Sequence, residues 1–282
     1  MNSSPLPTRR VINIHAHLRR GTDVHAKIAE WQASGAIRSC VQCISYLPGI
    51  GWDHYCDNPD VEPLLRKYPD HLIGFGALNF TTMTIQPSIV QELRDKGFRG
   101  LKCIMPAKPY DDDAYMPFYE EATRLRMPVL FHTGILSYPQ CYRGSSLCDY
   151  MRPARLQRMA RMFPENTFIG AHLGIGWMDE AIILALHNPN LYFDITGGGG
   201  SARHGTLIKR ALSSFPGADT SNPDQNLAIA LFRDKLLFGT DNPTVDAWVN
   251  RSLDVLDYFA IPEDVRENFF WKTAAKILQI AV

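Results

Sequence analysis

Short, largely apolar runs of strand length alternate along the chain with longer stretches of helical periodicity. The runs cover residues 11–17, 39–45, 72–78, 100–104, 129–132, 167–172, 191–194 and 236–241, and each predicts a strand. Helical patterns predict helices over 23–34, 86–96, 113–126, 152–163, 178–187, one or two within 202–233, then 245–258 and 263–280. Asp23 offers an N-cap to the first, and Pro87 with Gly97 marks the start and stop of the second. Repeated strand–helix units require parallel strands joined by crossover helices. Eight of them in 282 residues predict an α/β fold, a (β/α)8 TIM barrel, forming one domain over residues 1–282. A doubly wound open sheet would favour a glycine-rich phosphate loop after the first strand; Leu18-Arg19-Arg20-Gly21 stands there instead. Four consecutive glycines, residues 197–200, suggest a mobile loop after strand seven, without the flanking residues of a nucleotide-phosphate motif.

Composition narrows the class. Hydrophobic residues make up 45% and charged residues 21% of the chain, which excludes general disorder. Lys plus Arg and Asp plus Glu both total 29, so no basic field is available to grip nucleic acid. The longest apolar stretch, residues 181–186, is far short of the roughly 18 residues of a membrane span, and no N-terminal apolar segment resembles a signal peptide. A cytoplasmic protein acting on a small molecule is expected, with no nucleic-acid or membrane partner and with homo-oligomerisation left open. Six cysteines are too few for a disulfide scaffold in a chain this long. Cys40 and Cys43 form a C-x-x-C, but within a strand pattern they point to opposite faces and read as small buried apolar residues.

The chemistry gathers at the strand ends. His15 and His17 close strand one, Lys102 lies near the end of strand four, His132 and His172 end strands five and six, and Asp241 ends strand eight. In a barrel these ends share the rim where active sites form. Two histidines separated by one residue on an extended strand point the same way and suit one borderline-soft metal ion. His132 and Asp241 are candidates to complete three- or four-ligand coordination, leaving positions for water and substrate. His25, His54, His71, His187 and His204 fall on helices or loops and read as peripheral.

Five blocks in order, His15-Ala16-His17, Gly97-Phe98-Arg99-Gly100-Leu101-Lys102, Phe131-His132-Thr133-Gly134, Ala171-His172-Leu173-Gly174 and Phe238-Gly239-Thr240-Asp241-Asn242-Pro243, resemble the amidohydrolase superfamily, and within it the amidohydrolase-related, type 2 branch. The resemblance runs from Ile12 to about Leu278. It implies a distorted (β/α)8 barrel with one or two divalent metal ions, usually zinc. His15, His17 and Asp241 would hold the first ion, His132 would be a further ligand, and Asp241 would handle the proton of the attacking water. His172 would be either a ligand to a second ion or a catalytic acid/base. Lys102 would be either a carboxylated lysine bridging two ions, towards which the full ligand set leans, or a free amine orienting an anionic substrate. The implied activity is hydrolysis, with metal-activated water attacking an amide, lactone or ester carbonyl. The alternatives are a non-oxidative decarboxylase or hydratase of the same branch, and a non-catalytic ligand-binding barrel. Two details depart from the pattern. Asn13 stands where many relatives carry aspartate, and Trp271 to Leu278 lacks their Asn-Ala pair.

Further binding candidates are weaker. Tyr142 and Arg143, in the loop after strand five, are candidates to close over substrate. Trp177 is a candidate wall of the pocket, with core packing the equal alternative. Arg152, Arg155, Arg158 and Arg161 recur every three residues and read as a solvated helix face.

Overall fold

The computed structural model describes residues 9–44, 53–82, 84–136, 146–197, 201–215, 226–242 and 244–281, without the side chains of 201–204. Tyr142, Arg143, Cys141, Gly198–Gly200 and the His204 side chain lie outside the described residues. All eight predicted strands form: β1 (Val11–Ala16), β2 (Ala36–Gln42), β3 (Leu72–Leu78), β4 (Gly100–Cys103), β5 (Val129–Phe131), β6 (Phe168–Gly170), β7 (Leu191–Asp194) and β8 (Leu236–Leu237). Each pairs in parallel with the next, in chain order, in one sheet. Backbone bonds close the ring. The Ile14 N–H donates to the Phe238 carbonyl (3.0 Å), and the N–H groups of Thr240 and Asp241 donate to the His15 carbonyl (3.0 and 2.7 Å). The fold is a (β/α)8 barrel.

The helices are α1 (Val24–Ala33), α2 (Asn58–Lys67), α3 (Ile89–Asp95), α4 (Met116–Arg124), α5 (Gln157–Met162), α6 (Met178–His187), α7 (Ser201–Ser213), α8 (Leu227–Asp234), α9 (Val245–Tyr258), α10 (Glu263–Glu267) and α11 (Thr273–Leu278). None among the described residues is long and apolar enough to cross a membrane. The periodicity reading has no counterpart for α2. Its Pro59 and Pro63 look like breakers, because an interior proline removes a helical hydrogen bond. Asp57 and Asp60 nevertheless start it with a reciprocal capping box, and Val61 and Leu65 bury one face against the barrel. β3 accepts that close packing because Gly74 faces it. A Cβ there would lie 2.5 Å from Leu65 and 2.7 Å from Phe98.

β8 is shorter than its pattern. After Leu237 the Phe238 N–H turns away to the Phe269 carbonyl (3.2 Å). Phe269 lies in a π turn, Asn268–Lys272, that links α10 to α11, and the wider turn leaves that carbonyl available.

The barrel interior holds Ile12, Ile14, Cys40, Ile73, Phe75, Leu130, Ile169, Ala171 and Leu237, and α11 adds Ala274, Ala275 and Leu278. Arg99, just before β4, donates to the Leu278 carbonyl (3.3 Å), which places α11 across the end where strands begin. The opposite end is left for the polar residues. β1 needs a correction of phase to deliver them. With Ile12 and Ile14 inside, strict alternation would turn His15 outward. The pairing of β1 with β2 shifts register between Asn13 and Ala16, and such irregularities re-aim side chains. His15 and His17 therefore both enter the mouth. Asn13 sits in the seam. Its Oδ1 accepts from the N–H groups of His15 (3.3 Å) and Thr240 (3.1 Å), and its Nδ2 donates to Thr240 Oγ1 (2.9 Å). An aspartate would lack that donor, so the departure at Asn13 serves the closure of β1 on β8.

Cys40 lies in the barrel interior and Cys43 in the layer between barrel and helices, and both are fully buried free thiols. Burial pushes both thiol pKa values up, which suppresses the reactive thiolate. In the native protein both should therefore stay unlabelled by a thiol reagent and react after denaturation. Peptide mass spectrometry of pulse-labelled protein checks this; fast native labelling of the pair would restore a redox or metal role for the C-x-x-C.

Candidate metal centre

Six residues predicted from the strand ends converge at the barrel mouth. His15 Nε2 lies 3.3 Å from His17 Nε2, 3.3 Å from Lys102 Nζ and 3.9 Å from Asp241 Oδ1. His17 Nε2 lies 3.2 Å from Asp241 Oδ1. The His172 ring is 5.3 Å from that of His15 and 4.9 Å from that of His132. The close approach needs Gly239, where a Cβ would stand 2.7 Å from Thr196 Cγ2 and 3.0 Å from His15 Cβ. His172 and Asp241 adopt left-handed backbone angles, φ 61° and 60°, which are uncommon for non-glycine residues.

The hydrogen bonds orient the imidazoles. His15 Nδ1 contacts Asp194 Oδ2 (2.9 Å), and His17 Nδ1 contacts the Gln42 carbonyl (3.0 Å). Both partners only accept, so both Nδ1 atoms carry the proton and both Nε2 atoms present lone pairs. Thr196 Oγ1 donates to Asp194 Oδ1 (2.6 Å) and so accepts from His172 Nδ1 (2.7 Å), which turns the His172 Nε2 lone pair free in the same way. His132 Nε2 is buried and has no hydrogen-bond partner among the described residues. Asp194 also accepts from the N–H groups of His172 (2.8 Å) and Thr196 (3.0 Å).

Asp194 carries the arrangement and was not among the residues predicted from sequence. It ends β7 as the others end their strands, so the same rule would have found it. Although it falls in a group of possible ligand atoms with His15 and His172, its oxygens are occupied as acceptors, which fits an orienting role.

The electrostatics follow from burial. Burial, then Lys102, pulls His15 down to about 3. Burial, then His172 and Lys102, lowers His132. Both are neutral near pH 7, as ligands must be. Burial pulls Lys102 down to about 8, against the attraction of Asp194 and Asp241. Burial works against both aspartates, but the contact with His15 holds Asp194 below the carboxylate range, and the closeness of His17 and then His15 does so for Asp241.

The donor set fits a divalent ion. Two Nε2 lone pairs 3.3 Å apart, with a carboxylate oxygen 3.2 Å from one of them, repel unless a proton or a cation lies between them. His15, His17 and Asp241 form a group whose ligand atoms all lie within 4.8 Å of one another. Imidazole and carboxylate donors suit zinc.

Trp177 is half-buried, and the Arg152 guanidinium sits 5.5 Å over its ring. Three of the four arginines in the series are paired: Arg152 with Glu180, Arg155 with Asp149, and Arg158 with Asp113. His25, His54 and His187 are exposed and His71 is half-buried, as expected for peripheral residues.

Residues 56–280 match the family model described as Amidohydrolase. No curated protein matches the chain in sequence. In fold the chain is similar to an uncharacterised TIM-barrel protein from Bordetella bronchiseptica (21% identity, 91% of this chain and 83% of that one, TM-score 0.66). It is similar to an amidohydrolase from Burkholderia multivorans with bound zinc (12% identity, 97% and 100%, TM-score 0.62). A third similar structure is 2,6-dihydroxybenzoate decarboxylase from Rhizobium (17% identity, 92% and 88%, TM-score 0.58).

Replacing Asp194 by alanine leaves the His172 and Thr196 N–H groups and His15 Nδ1–H without their acceptor. The Asp194→Ala variant should lose about 3 kcal/mol of stability and bind zinc roughly 10- to 100-fold more weakly. Urea unfolding and chelator competition measure the two effects, and wild-type values in both would remove Asp194 from the orienting role.

Proposed function

The chain belongs to the amidohydrolase family, and on that premise we propose that it is a metal-dependent hydrolase acting on an amide, lactone or ester. The observation that carries this reading is the pair of facing Nε2 atoms of His15 and His17 beside Asp241 Oδ1, each imidazole already committed at Nδ1. His15, His17 and Asp241 would hold a divalent ion, zinc first among the candidates, with His132 as a further ligand. Such an ion supplies polarisation of the substrate carbonyl and a lowered pKa for water. Asp241 is the carboxylate open to the mouth, with 12% of its side chain exposed against none for Asp194. Asp241 takes the proton of the attacking water and returns it to the leaving group. His172, fixed through Nδ1 by Thr196, turns Nε2 towards the substrate side and can share a proton there.

Decarboxylation is the second reading, favoured by Lys102. A cationic amine 3.3 Å from His15 can anchor a substrate carboxylate, and His172 would then protonate the carbon that loses carbon dioxide. The zinc-reconstituted protein should hydrolyse members of a panel of lactones, esters and amides and release no carbon dioxide from aromatic carboxylates. Asp241→Asn should lower turnover about a thousandfold. Carbon dioxide release without hydrolysis would reverse the assignment, and full activity of Asp241→Asn would remove Asp241 from it.

Lys102 also bears on the number of ions. An amine pulled down to about 8 is partly free near neutral pH. It can add carbon dioxide, losing a proton, to become a carboxylate able to bridge a second ion held with His132 and His172. After incubation with 13C-bicarbonate and zinc, wild type should show a carbamate 13C resonance that Lys102→Ala lacks, with two zinc ions per chain. One ion and no resonance would leave Lys102 as a free amine.

A further inference from the structure

A hydrogen-bonded chain reaches Asp241 from outside the candidate ligand set. Asn242 Nδ2 donates to Asp241 Oδ1 (3.1 Å), and Tyr55 Oη donates to Asn242 Oδ1 (2.6 Å). Tyr55 and Asn242 are 187 positions apart in sequence, in the segments that follow β2 and β8.

A side-chain amide has a donor end and an acceptor end. Asp241 only accepts, so it faces the Nδ2 end; the flipped amide would set an oxygen against an ionised carboxylate. The Tyr55 phenol completes the chain from the other side, donating to Oδ1 and so holding the amide with Nδ2 towards Asp241. Tyr55 is itself held in place. It pairs with Arg19 across an antiparallel bridge, framed by bonds from the Arg20 N–H to the His54 carbonyl (2.8 Å) and from the Cys56 N–H to the Leu18 carbonyl (2.9 Å). Its ring lies 5.3 Å from that of His17 and 4.2 Å from that of His54. One residue thus packs on a candidate ligand from β1 and, through Asn242, bonds towards a candidate ligand that follows β8.

We propose that Tyr55 is a positioning residue that fixes the Asp241 carboxylate for metal binding by locking the Asn242 amide. This rests on the reading of Asp241 as a ligand given above. Asp241 leaves the strand at a left-handed backbone angle, beyond the regular ladder, so its carboxylate depends on side-chain partners for its orientation.

The test uses the full chain, stripped of metal and titrated with zinc against a chromophoric chelator. Tyr55→Phe keeps the ring and removes the donor. It should weaken zinc binding about tenfold or more and shift the visible absorption of the Co2+-loaded protein, with the far-ultraviolet circular dichroism unchanged. Asn242→Ala should do the same, and Tyr55→Phe added to Asn242→Ala should cost nothing further, because residues acting through one another are not additive. The proposal is overturned if Tyr55→Phe binds zinc within about twofold of wild type, or if the two losses add in full. Asp241→Asn separates the levels. Wild-type zinc affinity in that variant would sink the ligand assignment itself, whereas loss there with none in Tyr55→Phe would sink only the positioning role.

Discussion

The contact between His15 and Asp194 decides what the barrel mouth can do. A histidine has two ring nitrogens, and only one can face the centre with a lone pair. Asp194 accepts the Nδ1–H of His15 at 2.9 Å, so Nε2 faces the other candidate ligands. The same carboxylate accepts from Thr196 and from the His172 backbone, and Thr196 in turn fixes His172. One buried aspartate therefore sets two of the four imidazoles. The cost of burying its charge is offset by these donors, which is the condition under which buried carboxylates persist.

That contact depends on the phase of β1. The strand must pack Ile12 and Ile14 in the interior and then present His15 and His17 to the same cavity. Alternation alone forbids this, and the shift between Asn13 and Ala16 allows it. The irregularity costs regular ladder pairing with β2. Asn13 recovers bonds on the other side by joining β1 to Thr240 after β8. Barrel closure and the placement of the candidate ligands are thus one arrangement, so a change at Asn13 acts on both.

Much of this was legible in the chain itself. Eight alternating runs show the barrel because the sheet is parallel and buried, and largely apolar runs are what such strands require. The strand-end rule located His15, His17, Lys102, His132, His172 and Asp241, since an ionisable group at the end of an apolar run has few places to go other than the rim. The rule applied to Asp194 as well, but a lone aspartate after Leu191-Tyr192-Phe193 looks like the start of a turn. Helix α2 was hidden by Pro59 and Pro63, whose local penalty is overridden by the capping box and by burial of Val61 and Leu65. The early end of β8 was hidden because the competing acceptor for the Phe238 N–H is a carbonyl in a π turn 31 positions away (269 − 238). Tyr55 and Asn242 were out of reach for the same reason: no local pattern encodes a bond between two loops.

The balance of charge explains why such a site suits a cation. The chain as a whole is neutral, with 29 basic and 29 acidic residues, so attraction at the mouth comes from local groups. There, two ionised aspartates face one buried lysine and the His15 and His132 imidazoles, which burial keeps neutral. Converging lone pairs and carboxylates in a low-dielectric mouth are costly to assemble, and folding has to meet that cost from the packing of the barrel. A divalent ion removes the repulsion between the facing nitrogens and uses the same lone pairs. Because an ion that binds the folded chain stabilises it, the features that make the site unfavourable on its own are those that would couple the binding of an ion to the stability of the barrel.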